Sequence, residues 1–239
     1  MATRVKLKLF NASSPDKAPP GATERIVDSI TSAIVERRLM PGTKLVEQKI
    51  ADIFKVSRTI VRQALNQLCR DRLVTLEPAR GAHVAMPGIE EARQVFEMRN
   101  MIEGALVCEL CVRITDGQLA LLQAHLKAET QAVANGNVSE RTRLLSDFHV
   151  LLAQLLGNAV LAEIMKDLLS RSQLISLMYQ SAHSAEASHR EHEQVVAAIG
   201  KRDARAAAKL MKNHIDSVER NLRTNPGATD LDQILHIKG

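Results

Sequence analysis

The sequence predicts a mainly α protein in two parts, and three observations carry that expectation. First, 45% of the 239 residues are hydrophobic but only 2% are aromatic. Leu, Ala, Arg and Glu are abundant and Val-rich alternating runs are few, which favours helices over sheets. Second, charge is unevenly spread. Residues 1–86 hold 15 Lys+Arg against 8 Asp+Glu, a net of +7, whereas residues 87–239 hold 17 against 19, a net of −2. The overall +5 therefore belongs to the first third. Such asymmetry points to a nucleic-acid module joined to a near-neutral one. Third, from Ile89 onward apolar residues recur at helical spacing with little interruption.

The elements follow in order. Residues 1–22, rich in Ser, Pro and Ala, read as a flexible tail with no convincing signal peptide. Thr23 can cap a helix running to about Arg38, with Ile26, Ile30, Ile34 and Val35 inward. "LMPGTKL" turns the chain. Residues 46–54 form a short helix with Ile50, Ala51 and Ile53 or Phe54 inward. Lys55-Val56 is a tight turn, and Ser57 caps a helix to about Arg70. "LVTLEPARGAHVA" then gives two short strands around a Pro/Gly hairpin. This order over residues 23–86 is a winged helix-turn-helix.

The helix beginning at Ser57 is two-faced. Val61, Leu65 and Leu68 want a core, while Ser57, Arg58, Thr59 and Arg62 lie on the other side with few acidic partners nearby. In this layout the second helix enters the major groove by its N-terminal end. Arg58 and Arg62, one turn apart, suit bidentate contact with guanine edges or phosphate. The bland alternative is a solvated helix with two surface arginines.

"PGTKL", "IADIFKVSRTIVRQAL" and "RGAHV" together resemble the winged helix-turn-helix of the GntR regulators. The resemblance implies DNA contacts at Ser57, Arg58, Thr59 and Arg62, and at Arg80, Gly81 and His83 in the wing. Gln48 stands where some members carry a DNA-contacting arginine, and Arg72 stands where the family often ends the helix with glycine.

"MPGIEEA" is a short linker into the second part, residues 87–224, followed by a C-terminal tail at 225–239. Helices are expected at 89–113, 116–134, 138–156, 159–180, 184–200 and 203–222, punctuated by Asp116-Gly117, Asn135-Gly136-Asn137, Gly157-Asn158, Gly200 and Asp203. Short loops between long helices make an antiparallel all-α helical bundle. Cys108 and Cys111 form a lone C-x-x-C inside a helical pattern. With three cysteines in all, they read as small packing residues of a reducing, cytoplasmic environment. No run of about 18 apolar residues suggests a membrane span.

Three histidines, His149, His192 and His214, sit on the apolar stripes of three helices. The last two lie about ten and twelve residues from the turn near Arg202. At ~1.5 Å per residue, antiparallel helices bring them to one height. Neutral imidazoles at one level of a core can share a divalent cation. The alternative is an unmetallated polar pocket.

"MRNMIEGAL", "FHVLLAQLLGN" and "EHEQVVAAIGKRDARAAAKLMKNHI" resemble the FadR-type C-terminal ligand-binding domain of GntR regulators. The resemblance implies a divalent metal (zinc, nickel or similar) on His149, His192 and His214. Its usual fourth ligand, an aspartate, is replaced by Leu145. Asp147 faces away by helical geometry, and His189 is a weaker substitute. Arg99 is either an anion anchor for the effector or the partner of Glu103, and Asn158 either a pocket donor or a helix cap. The expected protein is an effector-responsive bacterial transcription regulator. It would bind operator DNA as a homodimer and sense a small carboxylate. A metal-dependent hydrolase built on the three histidines is the alternative from another class, and a non-specific architectural DNA binder a third.

Overall fold

The computed structural model describes residues 21–36, 38–178 and 185–222. The head comprises α1 (Ala22–Val35), β1 (Lys44–Leu45), α2 (Glu47–Phe54), α3 (Arg58–Arg70), β2 (Val74–Glu77) and β3 (Gly81–Val84). Ile26, Ile30 and Ile34 of α1 meet Val61, Leu65 and Leu68 of α3 in its core, with Ile50, Val74 and Val84 closing the sides. Phe54 packs against this core and Ile53 faces solvent.

Local details depart from expectation. α1 is capped by Gly21, whose N–H donates to the Glu24 carboxylate at 3.0 Å, so Thr23 lies inside the first turn. The helix ends at Val35, short of Arg38. The wing has three strands in the order β1-β3-β2, all antiparallel, with Leu45 and Leu76 both opposite Ala82. β1 is only two residues long, too short to show alternation in sequence. It is set by Gly42, whose φ of 78° lets its N–H reach the Val84 carbonyl at 2.9 Å.

The body comprises α4 (Ile89–Arg113), α5 (Asp116–Ala134), α6 (Val138–Leu155), α7 (Ala159–Met178), α8 (Ala185–Gly200) and α9 (Ala204–Arg220). Its turns fall where the punctuation suggests, though Thr115 and Asn137 take cap roles the sequence reading did not give them. The Thr115 hydroxyl caps α5, Asn137 caps α6 and Asp203 caps α9, each accepting a backbone N–H. Gly157, at φ 74°, ends α6. α4 packs most extensively on α9, α6 on α7, and α8 on α9. The core joins Phe96, Leu110, Leu122, Phe148, Leu152, Met165, Val195, Met211 and Ile215. Cys111 is buried within it and Cys108 donates to the Ala204 carbonyl, so both cysteines pack. Among the described residues no helix is long and apolar enough to cross a membrane. The expected tails, residues 21 and 22 apart, lie outside the described residues.

The two parts are joined by more than the linker. Leu174 of α7 is buried in the head's core. Arg72 sits at φ 61° in the turn after α3 and donates to Asp167 at 2.6 Å. Asp167 also accepts from Arg171, which reaches Glu91 at 2.6 Å. Where glycine would accept positive φ without strain, arginine brings a cation to the body.

Candidate functional site

The exposed face of α3 is cationic, as its sequence suggests, but it is not unpartnered. Arg58 and Arg62 are 55% and 61% exposed, and both donate to Glu47 at 2.9 Å. The expectation of few acidic partners is corrected here. Glu47 lies 11 and 15 residues upstream, at the first position of α2, and the tight turn returns it to the face of α3. The two guanidiniums hold its carboxyl below the usual range. Solvent-exposed pairs of this kind contribute roughly 0–1 kcal/mol, so the arginines exchange partners readily.

The other head residues fall around this face. Ser57 occupies the N-cap position of α3, but its hydroxyl makes no cap hydrogen bond and stays exposed, as does Thr59. Gln48 donates to Asp52 at 2.8 Å. At the wing, Arg80 is 75% exposed and bonds Glu77, and Gly81 has φ 85° with open space where a side chain would stand. His83 is half-buried on β3, and its Nδ1 is buried without a partner among the described residues.

The second site lies inside the body. His149 of α6, His192 of α8 and His214 of α9 are all buried, and one ring nitrogen from each lies within 4.8 Å of the others. Ring centroids are 4.8–5.2 Å apart. Each Nδ1 faces its own carboxylate: His149 with Glu103 at 2.5 Å, His192 with Glu129 at 3.1 Å, His214 with Glu191 at 2.6 Å. A carboxylate only accepts, so each Nδ1 carries the proton, and the Nε2 of His149 accepts from the Arg99 guanidinium at 3.3 Å. Phe148 stacks on the His192 ring at 4.0 Å and fixes its plane.

Burial dominates the electrostatics. Desolvation, opposed by the paired carboxylates, lowers all three imidazoles to about 4. Burial alone would raise the carboxyls, but Arg99 and His149 hold Glu103 far below its usual range. His125 and His192 lead the groups that bring Glu129 down to about 2. The rings are neutral at physiological pH, and Glu103 and Glu129 are ionised. That is the protonation a metal ligand set requires.

These rings open onto a cavity of about 470 Å³ also lined by Arg99, Leu145, Ser172, Gln173 and, from the head, Val35 and Glu36. Arg99 is 3% exposed and donates to Glu103 at 2.7 Å and to Ser172 at 2.8 Å. It is thus both the helical ion partner of Glu103 and a wall of the cavity. Leu145 lines the same space and offers no ligand atom. Asp147 binds Arg143 and does not reach the cavity, and His189 has both nitrogens engaged, by Glu129 and Thr130. Asn158 is not brought to the cavity: it is exposed and its side chain accepts the Leu161 N–H, capping α7.

The donor set fits a divalent cation. Three neutral imidazoles converge, each held by an outer carboxylate in the way metal-binding histidines are commonly oriented. The Nε2 of His192 is buried with no hydrogen-bond partner among the described residues, and a cation would satisfy it. Three protein ligands leave positions open to an exogenous oxygen donor.

The supporting carboxylates Glu129 and Glu191 did not emerge from sequence. For Glu129 a signal existed. Leu119, Leu122, Leu126 and Glu129 recur at core spacing on α5, and an acid on that stripe needs a buried partner.

A cationic winged helix-turn-helix joined to a helical body whose buried histidines and Arg99 line a cavity is the architecture of a ligand-responsive DNA-binding regulator. The chain belongs to the GntR family of transcription regulators, in the branch with an FCD effector-binding domain. Residues 22–84 match the bacterial regulatory proteins of the gntR family, and residues 94–217 match the FCD domain. It is 25% identical over 205 residues to the HTH-type transcriptional regulator YdfH of Escherichia coli O6:H1, covering 85% of this chain and 90% of that one. It is 26% identical over 191 residues to the HTH-type transcriptional repressor RspR of Escherichia coli K12, covering 80% and 84%. A GntR-type crystal structure from Rhodococcus sp. RHA1 has the same fold, with a TM-score of 0.69 at 24% identity over 83% of this chain and 95% of that one. The family regulates transcription and binds operator DNA; it is not enzymatic, which sets aside the hydrolase alternative.

Proposed function

We propose that this regulator senses a small carboxylate through a divalent cation held by His149, His192 and His214, and that it reads a two-fold operator as a homodimer. The observation that carries the reading is the trio of buried, neutral imidazoles, each Nδ1 tied to its own carboxylate, facing a cavity that holds Arg99. Bound there, the cation would supply Lewis acidity toward an oxygen donor. The chain's own residues do the rest. Glu103, Glu129 and Glu191 orient the rings, Phe148 braces His192, and Arg99 offers a guanidinium to an incoming carboxylate. With Leu145 in place of an acid, the site carries no anionic protein ligand and depends more on its effector for charge balance.

In the head, Arg58 and Arg62 leave Glu47 for base edges or phosphates, with Ser57, Thr59 and Gln48 beside them and Arg80, Gly81 and His83 at the wing. One winged domain reads a half-site, so a palindromic operator requires two chains.

The test is elemental analysis of the purified protein followed by zinc titration of the chelator-stripped form. One equivalent per chain is expected, lost in a variant with all three histidines changed to alanine. Equal zinc uptake by wild type and variant would overturn the metal assignment.

A further inference from the structure

One continuous face of α6 walls the cavity: Val138, Arg141, Thr142, Leu145, Ser146 and His149 recur at spacings of three and four. His149 marks the metal-facing end. Arg141 stands eight residues earlier, which at ~1.5 Å per residue is about 12 Å back along the helix axis.

The charges lining the cavity are not equally satisfied. Arg99 is compensated by Glu103 at 2.7 Å. Glu36, contributed by the head, is compensated by Arg38 at 2.8 Å. Arg143, one turn from the cavity face, is held by Asp147 at 2.7 Å. Arg141 is half-buried and makes no ion pair or side-chain hydrogen bond with any described residue. A half-buried guanidinium that lacks a carboxylate has given up part of its hydration without replacing it.

We infer that Arg141 is a specificity-determining anchor for a second anionic group, so that the effector is an elongated diacid. One carboxylate occupies the histidine end of the cavity and the other the guanidinium of Arg141. The inference rests on the reading of the histidine end given above. The planar fork of arginine matches a carboxylate in bidentate geometry, and the partly desolvated wall strengthens the pair. A monoacid of the same length leaves Arg141 unpaired, which is the basis for discrimination.

The experiment is calorimetric titration of the zinc-loaded full-length protein with the diacids succinate through pimelate, each beside the monoacid of equal carbon number. At least one diacid is expected to bind roughly tenfold tighter than its monoacid, about 1.4 kcal/mol. Arg141→Ala should abolish that preference while leaving monoacid affinity and zinc stoichiometry unchanged; Arg141→Lys, which keeps the charge, should retain part of it. Far-UV circular dichroism confirms that both variants fold. If no diacid outbinds its monoacid, or if the preference survives Arg141→Ala, the inference is overturned while the metal site stands. If zinc-loaded protein binds none of these acids, or zinc itself does not bind, the reading of the histidine end falls and the inference with it.

Discussion

The buried imidazoles make the metal-free protein acid-labile in a window their shifts define. Each ring has an ordinary value near 6.5 and sits at about 4 in the folded chain. Between those values the unfolded chain binds protons that the folded chain does not. Stability therefore rises with pH in this window and is lost as pH falls from about 6.5 toward 4. At about 1.36 kcal/mol per unit, each ring withdraws about 2 kcal/mol by pH 5, and the three together about 6 kcal/mol. Glu103 and Glu129 act lower. Their depressed values give stability that is present above about 4.5 and lost below it. Against a total stability of about 5–15 kcal/mol, the loss through pH 5 is large. Urea unfolding of the chelator-stripped protein at half-unit intervals from pH 7.5 to 4.5 measures it. The midpoint should be flat above pH 7 and fall steeply below 6. In His192→Gln, the pH-dependent loss at pH 5 should shrink by about a third, whatever that variant's absolute stability. A midpoint unchanged between pH 7 and 5, or an identical slope in the variant, would show that the rings are not held neutral by burial.

Arg58→Ala should lower affinity for a duplex selected from a random pool by about 1–3 kcal/mol in gel-shift titration while sedimentation shows unchanged assembly; undiminished affinity would refute the recognition-face assignment. Glu129→Gln removes the acceptor behind His192 and should weaken zinc binding about 10–100-fold by calorimetry. Phe148→Ala empties a fully buried site against the His192 ring and should cost about 3–5 kcal/mol in urea unfolding. Asp167→Asn breaks a half-exposed pair with Arg72, so global stability should change by at most about 1 kcal/mol. Hydrogen exchange around residues 71–73 should nevertheless rise if that pair holds head to body.

Helix order, and the limits of the body's helices to within about two residues, were legible in the sequence because periodicity, capping residues and glycines agreed. Asp203 and Gly157 perform the local tasks their positions suggest. The convergence of His192 and His214 followed from simple counting along an antiparallel pair. What sequence could not show depends on chain folding over distance. Glu47 meets Arg58 and Arg62 only because a three-residue turn folds α2 against α3. β1 is created by its partner strand and carries no pattern of its own. Glu191 orients His214 from a neighbouring helix, and nothing in either helix alone announces the pair. Asn158 illustrates the reverse case, where a local cap accounts for the residue without any pocket.

The position of α7 bears on how a signal could leave the cavity. Leu169, Ser172 and Gln173 line the space beside the histidines. On the same helix, Asp167 holds Arg72 in the turn that ends the recognition helix, and Leu174 is buried in the head's core. The head in turn lends Val35 and Glu36, the last residue of α1 and its C-cap, to the cavity wall. A ligand filling this cavity would therefore touch both domains at once. It would bias DNA binding only so far as it prefers one head placement over another. The Arg72–Asp167–Arg171–Glu91 chain is exposed enough to be remade at small cost, whereas Leu174 is not. This division favours a pivot at Leu174, with the ion pairs rearranging around it, over full separation of head from body.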